Sequence, residues 1–546
     1  MNRQAAPPDA PTTTAPCAPA CPRPWFPDGR EAGDRPPDAP CPVGSRPFVL
    51  AATILGSAMA FIDGTVVHIA LPAIQADLDA GFSGLQWVVN GYILLMGALI
   101  LLGGALGDRF GRRRIYLIGI VLFALASLFC ALAPDINSLI AARALQGIGA
   151  ALLVPQSLAI IAASFPPDVR GRAIGIWAGA AALTTAAGPI LGGLLIDLMS
   201  WRAAFWINLP LAALTIWLCL AHVPESRDAN APRRVDLPGA LLAVIGLALL
   251  TLGLTTLSGE GGGEAWTLAA LAIGTVVLVA FIAVERRASA PMMPLSLFRS
   301  RAFTAANVVT VLLYFALSGV LFLLPFNLIQ LQGYSALQAG LALLPFGLIM
   351  GLFSSAAGRL ADRISPRLPL AVGSGFVALS GVGFAMAGIG GDYWSTVLPP
   401  VLLLAVGMTI AIAPLTTAVM NAVAERQAGL ASGINNAASR LAGLIAVVAV
   451  GGLASLVFAG ELLAAVAPLG LAAGPADALM AQADRLAGLD LPDALTPDQA
   501  VAVGDAVDVA FLQAFRVGVL ATAAAAALAA LIAALFLRPA RDDPDS

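Results

Sequence analysis

The chain contains no lysine; all 29 basic residues are arginine. A phosphate-binding loop needs its lysine to reach the phosphates, so an ATPase of that kind is excluded, as is lysine Schiff-base chemistry. Histidine is nearly as scarce. His68 and His222 are the only two, too few for a histidine-rich metal centre or most catalytic triads. The five cysteines include no C-x-x-C pair. Cys17, Cys21 and Cys41 fall near the N-terminus and stay reduced if that segment is cytoplasmic. Cys130 and Cys219 sit in apolar runs as small hydrophobes. Charged residues make up only 11% of the chain, against about 25% in ordinary soluble domains. The expectation is no enzyme, no cofactor, no metal and no nucleic-acid partner.

What fills the chain instead is apolar sequence. Its 546 residues are 59% hydrophobic, with a mean hydropathy of +0.88. Apolar runs of about 20 residues, long enough to cross a bilayer, recur about fourteen times. An all-α integral membrane protein follows. Residues 1–46 are rich in Pro, Ala and Asp with no apolar period, and read as a disordered cytoplasmic tail. They do not resemble a signal peptide, so the first span is expected to stay in the membrane. The remainder divides into a six-helix half at 47–222, two inserted helices with linkers at 223–301, a second six-helix half at 302–538, and a short cytoplasmic tail at 539–546. The second half carries a long outer loop at 459–508. The inserted pair lacks polar interior residues almost entirely and reads as lipid-facing.

Arginine placement sets the topology. With the N-terminus inside, inner links hold Arg109, Arg112 to Arg114, Arg170, Arg172, Arg227, Arg233, Arg234, Arg286, Arg287, Arg299, Arg301, Arg363, Arg367 and Arg426, and outer links hold only Arg202 and Arg485. Both termini are therefore expected inside a bacterial cytoplasmic membrane.

One inner link stands out: Gly104, Gly107, Asp108, Arg109, Gly111, Arg112 and Arg113 in the pattern G-x-x-G-D-R-x-G-R-R. Glycines permit a tight reversal, and Asp108 can accept from a helix N-terminus or pair with an arginine. A topogenic basic loop is the plainer reading. The stretch from Gly358 to Arg367, with Asp362 and Arg363, echoes it after the second span of the second half. Repeated halves point to a site between them at mid-membrane.

Within the spans, Asp63 lies in the middle of the first. A carboxylate there is costly and faces a cavity or a partner. It is a candidate proton-binding group, or else a structural acid capping a neighbouring span. Arg143 is its candidate counter-charge, or a snorkelling arginine near the outer boundary. His68 is five residues from Asp63, about 140° around the helix, and so on another face. Gly188, Pro189, Gly192 and Gly193 combine a kink with small residues in the fifth span. His68, Trp87, Asn90, Gln156, Asn327 and Asn435 are candidates for a substrate cavity, each also readable as helix-to-helix glue.

In this order the motifs resemble those of the drug/proton antiporters of the major facilitator superfamily, in the fourteen-span group of bacterial multidrug exporters. The likeness covers roughly 48–540 and includes D-x-T-V-V-x-x-A-L-P from Asp63 and W-R-x-x-F-x-I-N-x-P from Trp201. It implies the major facilitator fold, with two six-helix bundles plus two helices. It implies proton coupling through Asp63 and Arg143, a conformational latch formed by the Asp108 loop and its Asp362–Arg363 repeat, and an antiporter motif at Gly188 to Gly193. Thr184 replaces a common glycine, His68 a common asparagine and Ser365 a glycine of the repeated loop. The function implied is proton-coupled efflux of small amphipathic compounds. The alternatives are a dedicated exporter of one metabolite or self-made antibiotic, and a non-transporting sensor or scaffold. Partners would be substrate, protons and membrane lipid, with a periplasmic adaptor protein as a further candidate.

Overall fold

Without water to satisfy it, backbone inside a bilayer closes its own hydrogen bonds, and helices do so within one segment. The computed structural model describes residues 43–228, 236–257, 264–288, 291–361, 365–423 and 427–537. Among these described residues are fourteen helices long and apolar enough to cross a membrane: α1 Arg46–Leu78, α2 Phe82–Phe110, α3 Arg112–Ala131, α4 Ile136–Ser164, α5 Val169–Leu198, α6 Ala203–His222, α7 Leu237–Thr256, α8 Ala265–Glu285, α9 Arg301–Leu331, α10 Ala336–Ser354, α11 Arg367–Met386, α12 Tyr393–Asn421, α13 Leu430–Leu469 and α14 Pro497–Phe536. Local chemistry sets several starts. Asp135, Ser335 and Thr496 each form a reciprocal capping box at the N-terminus of α4, α10 and α14, satisfying donors the first turn would otherwise leave free.

Small residues then bring helices close. A Cβ at Gly103 would lie 2.1 Å from the Ala151 carbonyl oxygen, and one at Gly147 2.5 Å from that of Tyr92. Helices α2 and α4 therefore pack backbone to backbone. Helices α1–α6 form one bundle and α9–α14 the other. The halves meet along two seams, α2 against α13 and α5 against α10.

The α5–α10 seam is tight at one end and open at the other, whereas α2 and α13 stay close as far as Leu101 and Gly433. At the end holding the α1–α2 link, Gln330 Nε2 donates to Gln75 Oε1 at 2.9 Å, and Gln75 Nε2 to the Arg485 carbonyl at 2.9 Å. Arg202 and Arg485 lie at this same end, paired with Asp77 and Asp79. Toward the other end, a Cβ at Gly171, Gly175 or Gly179 of α5, or at Gly351 of α10, would meet nothing within 4 Å. A cleft opens there between the halves.

The expected outer loop at 459–508 is shorter than the sequence suggests. The helix of α13 continues to Val466 and that of α14 begins at Pro497. Hydropathy marks the oily core of a helix, whereas these two project beyond it. Between them a short helix, Ala473–Met480, and a turn bury Leu479 and Leu486, capping the closed end. Helices α7 and α8 pack on one another, and α7 also lies against α2 and α13. The inserted pair therefore straps one seam while Ile273, Val276 and Val279 of α8 point outward.

Candidate functional site

Asp63 is 0% exposed and Arg143 1%. They form a salt bridge within the first half. The alternative of a snorkelling arginine is thus excluded by burial. Arg143 also donates from Nε to the Val88 carbonyl at 3.1 Å and from Nη1 to Gln146 Oε1 at 2.6 Å. Its guanidinium lies 4.4 Å from the Tyr92 ring centroid. Gln146 Nε2 donates to Asp63 Oδ1 at 2.7 Å and to Ser127 Oγ at 2.8 Å. Asn208 Nδ2 reaches Ser127 Oγ at 3.2 Å and Asp63 Oδ1 at 3.4 Å. Side chains of α4 and α6 thus hold one carboxylate of α1, both of whose oxygens accept hydrogen bonds, and groups of α2 and α3 hold those side chains in turn. The group faces a partner inside its own bundle and not the cleft. Gln146, Ser127 and Asn208 escape a reading based on charge alone, although Asn208 is the asparagine of the W-R-x-x-F-x-I-N-x-P motif.

His68 is on another face, as the spacing predicts. It shares a partly exposed stripe of α1 with Phe61 and Gly64, and a Cβ at Gly64 would meet nothing within 4 Å. Its Nδ1 is buried with no partner among the described residues. Asn90 is fully buried and neither amide atom has a partner among the described residues. It sits on the α2 face that meets α13, near Gln86, which donates to the Val447 carbonyl at 3.0 Å. Trp87 is partly buried beside it in sequence. Asn327 is buried near the closed end, its Nδ2 without a partner among the described residues. Asn435 Oδ1 accepts from Thr310 Oγ1 at 2.6 Å. Gln156 is fully buried between α2 and α4, donating to the Gly103 carbonyl at 2.7 Å, and this is the place of helix glue rather than cavity lining. Among the described residues no hydrogen bond joins any two of these six.

The glycine motif of α5 has a clear geometry. A Cβ at Gly188 would strike Thr65 Oγ1 at 1.9 Å, one at Gly192 would meet Val66, and one at Gly193 would lie 2.3 Å from the Ala336 carbonyl. Gly188 and Gly192 seat α5 on α1; Gly193 seats it on α10. Pro189 follows, and its carbonyl lies 2.3 Å from where a Cβ at Gly340 would be. Thr184 turns its hydroxyl back to the Ala180 carbonyl at 2.9 Å.

The Asp108 loop binds its own half in this conformation. Arg112 donates from Nε and Nη2 to Asp108 Oδ1 at 2.9 and 2.8 Å. Glu225, after α6, accepts from the Arg113 and Arg114 amides at 3.0 and 3.1 Å. It caps the start of α3, the role open to Asp108 from sequence. Arg113 donates to the Val223 carbonyl at 3.0 Å. Gly111 takes φ +111°, and a Cβ there would lie 2.7 Å from the Glu225 carboxyl. Arg109 stacks over Phe110 at 4.8 Å. Gly107 leaves room for the Gln156 amide, and Gly104 faces Pro155 more loosely. Among the described residues, the hydrogen bonds and ion pairs of this loop stay within its own half. Asp362 and Arg363 lie outside the described residues.

Twelve spans in two bundles around a cleft, two further spans strapped across one seam and a buried charged pair inside one bundle define a secondary membrane transporter. The chain belongs to the Major Facilitator Superfamily, whose family model matches residues 53–447. It is 38% identical over 393 residues to the multidrug resistance protein Stp of Mycobacterium tuberculosis, covering 71% of this chain and 72% of that one. It is 33% identical over 407 residues to the tetracenomycin C resistance and export protein of Streptomyces glaucescens, covering 74% and 76%. To the methylenomycin A resistance protein of Bacillus subtilis it is 35% identical over 408 residues, covering 74% and 86%. Among solved structures, a bacterial homologue of the lysosomal transporter Spinster, inward-facing and unoccupied, superposes with a TM-score of 0.62 over 92% of this chain and 100% of that one. At 16% identity that likeness concerns the fold alone.

Proposed function

We propose that the chain exports small amphipathic compounds across a bacterial cytoplasmic membrane in exchange for protons, with both termini inside. The observation that carries this reading is its extensive likeness to three exporters or resistance proteins of one superfamily. The arginine-rich links then face the cytoplasm, so the cleft opens inward. Asp63 is the proton-binding group and Arg143 its counter-charge. In the inward-open state the pair neutralises itself, and proton exchange belongs to a state in which α1 and α4 part. The Asp108 loop, with Asp362 and Arg363, latches the halves when the cleft closes. His68, Asn90 and Asn435 face the substrate path.

With no ATPase, energy comes from an ion gradient. One charge crossing 100 mV releases about 2.3 kcal/mol, and about 1.4 kcal/mol is a factor of ten. One net charge therefore sustains roughly fortyfold accumulation. The test is efflux of a cationic dye from expressing cells with and without a protonophore. Efflux that stops with the protonophore is expected; efflux indifferent to it refutes proton coupling. Two relatives named for single antibiotics favour a second reading, a dedicated exporter. A resistance panel of unrelated compounds separates the two, since a dedicated exporter protects against one chemical class.

A further inference from the structure

Arg440 of α13 lies inside a span and has no counter-charge. Its depth is set by α2: a Cβ at Gly97 would lie 3.1 Å from the Arg440 Cβ, and Gly97 falls midway along Phe82–Phe110. Among the described residues Arg440 takes part in no ion pair and no hydrogen bond. Its Nε is buried without a partner there, whereas Nη1 and Nη2 keep accessible surface. The side chain as a whole is partly exposed. A guanidinium presents its N–H donors in a planar fork and accepts nothing, so its accessible end is a donor pair with nothing to meet.

That end faces the cleft. The groove between α13 and the inserted helices takes in Ala437, Leu441 and Leu444 but not Arg440. Asn436, one turn earlier on the Arg440 side of the helix, is exposed. Tyr92 of α2 and Tyr314 of α9 stand within electrostatic reach of the guanidinium, which places it where the two halves meet. Asp63, at a similar depth, does not neutralise it, because its two oxygens are taken by Arg143 and Gln146. A charge at mid-membrane is costly, and it marks a pairing partner or a substrate path. The fork of an arginine matches two oxygens of one acid group.

We infer that Arg440 receives the acid group of an amphipathic substrate, a carboxylate or sulfonate, on its terminal N–H groups at mid-depth in the cleft. This rests on the export reading above and narrows its substrate class. Amphiphiles that carry an anionic oxygen group are preferred, and cations leave through the same cleft without this contact. The tyrosine rings of α2 and α9 stand beside the charge, so an apolar ring attached to the acid group has aromatic surface to lie against.

The test uses the purified full chain and two permanently charged probes built on one ring system, naphthalene sulfonate and trimethylnaphthylammonium. Ligands that bind the folded state raise its melting temperature. The sulfonate is expected to bind about tenfold more tightly than the ammonium. Arg440→Gln levels the two. Arg440→Lys, which keeps the charge and loses the fork, keeps the order with a smaller gap. Equal binding of the two probes by the native chain overturns the assignment. So does an order that survives Arg440→Gln, or an equal loss of both probes in that variant, the mark of a merely structural arginine. Displacement of the sulfonate by phosphatidylglycerol but not by naphthoate would give the arginine to a lipid headgroup, and overturns it too. In proteoliposomes with an imposed proton gradient, the native chain should move the sulfonate faster than the ammonium. Arg440→Gln should slow the sulfonate about tenfold and quicken the ammonium. Export of both probes in an order indifferent to Arg440→Gln overturns the role in selection and leaves the export reading standing. Export of neither, with the binding order intact, sinks the export reading and leaves the binding site standing.

Discussion

Asp63 and Arg143 neutralise each other where no solvent reaches, so either substitution alone strands a charge or its hydrogen-bond partners. Removing one member of a buried pair costs about 3–5 kcal/mol. Asp63→Asn should therefore lower the melting temperature of the purified protein, and Asp63→Asn combined with Arg143→Gln should recover most of the loss. Proton-driven export in proteoliposomes should fail in both, while membrane insertion persists. The pair of variants separates a structural ion pair from a coupling one: stability returns in the double variant and transport does not. Full drug/proton exchange by Asp63→Asn would remove that carboxylate from the mechanism. At this scale the sequence was informative where burial is costly. An acid and a base inside apolar runs declare themselves, and the structure joins them. Gln146, Asn208 and Glu225 carry no such signal. A neutral amide is common in spans as glue, and a glutamate after α6 looks like any link residue until it is found capping α3.

Helix α5 packs against both halves. Two glycines seat it on α1 and one on α10, and its last turn reaches across the seam. Asp197 accepts from the Ser335 hydroxyl at 2.7 Å and from the Ala336 and Leu337 amides at 3.2 and 3.0 Å. A residue of one half thus caps a helix of the other at the closed end. A lost cap is worth about 1 kcal/mol, a factor of about five in a two-state population. Asp197→Ala should shift the protein toward the state open at the arginine-poor end. A cysteine at Gly64→Cys, on the partly exposed stripe of α1, reports this. Labelling by an impermeant maleimide from outside should quicken about fivefold in the Asp197→Ala background. Unchanged labelling would mean that the cap does not hold the gate. The spans themselves were legible from hydropathy, since length and apolarity are what a bilayer demands. Their ends were not. The helices of α13 and α14 outrun the oily core, and their projecting turns are stabilised by the cap between them, a contact that no single stretch reveals.

At the scale of the whole molecule, function requires the closed end to open. The twofold plan was readable in the echo of one loop by another, but its present state was not. Which seam is tight depends on contacts between residues hundreds of positions apart. Gln75 is the hub of the closed end, bonded to Gln330 of the other half and to the Arg485 carbonyl of the capping segment. Alternating access says these contacts must break in every cycle. Gln75→Cys with Gln330→Cys, bridged by a short thiol-specific cross-linker, should therefore stop export altogether. The described native cysteines, Cys130 and Cys219, are buried and should not compete for the reagent. A reducible linker adds the decisive control: reductant should restore transport to the level of the unlinked variant, because the two substitutions leave the buried charged pair untouched. Export that continues with the link fully formed would mean that substrate crosses without the halves parting, and the cleft would then be a fixed vestibule instead of one half of a cycle.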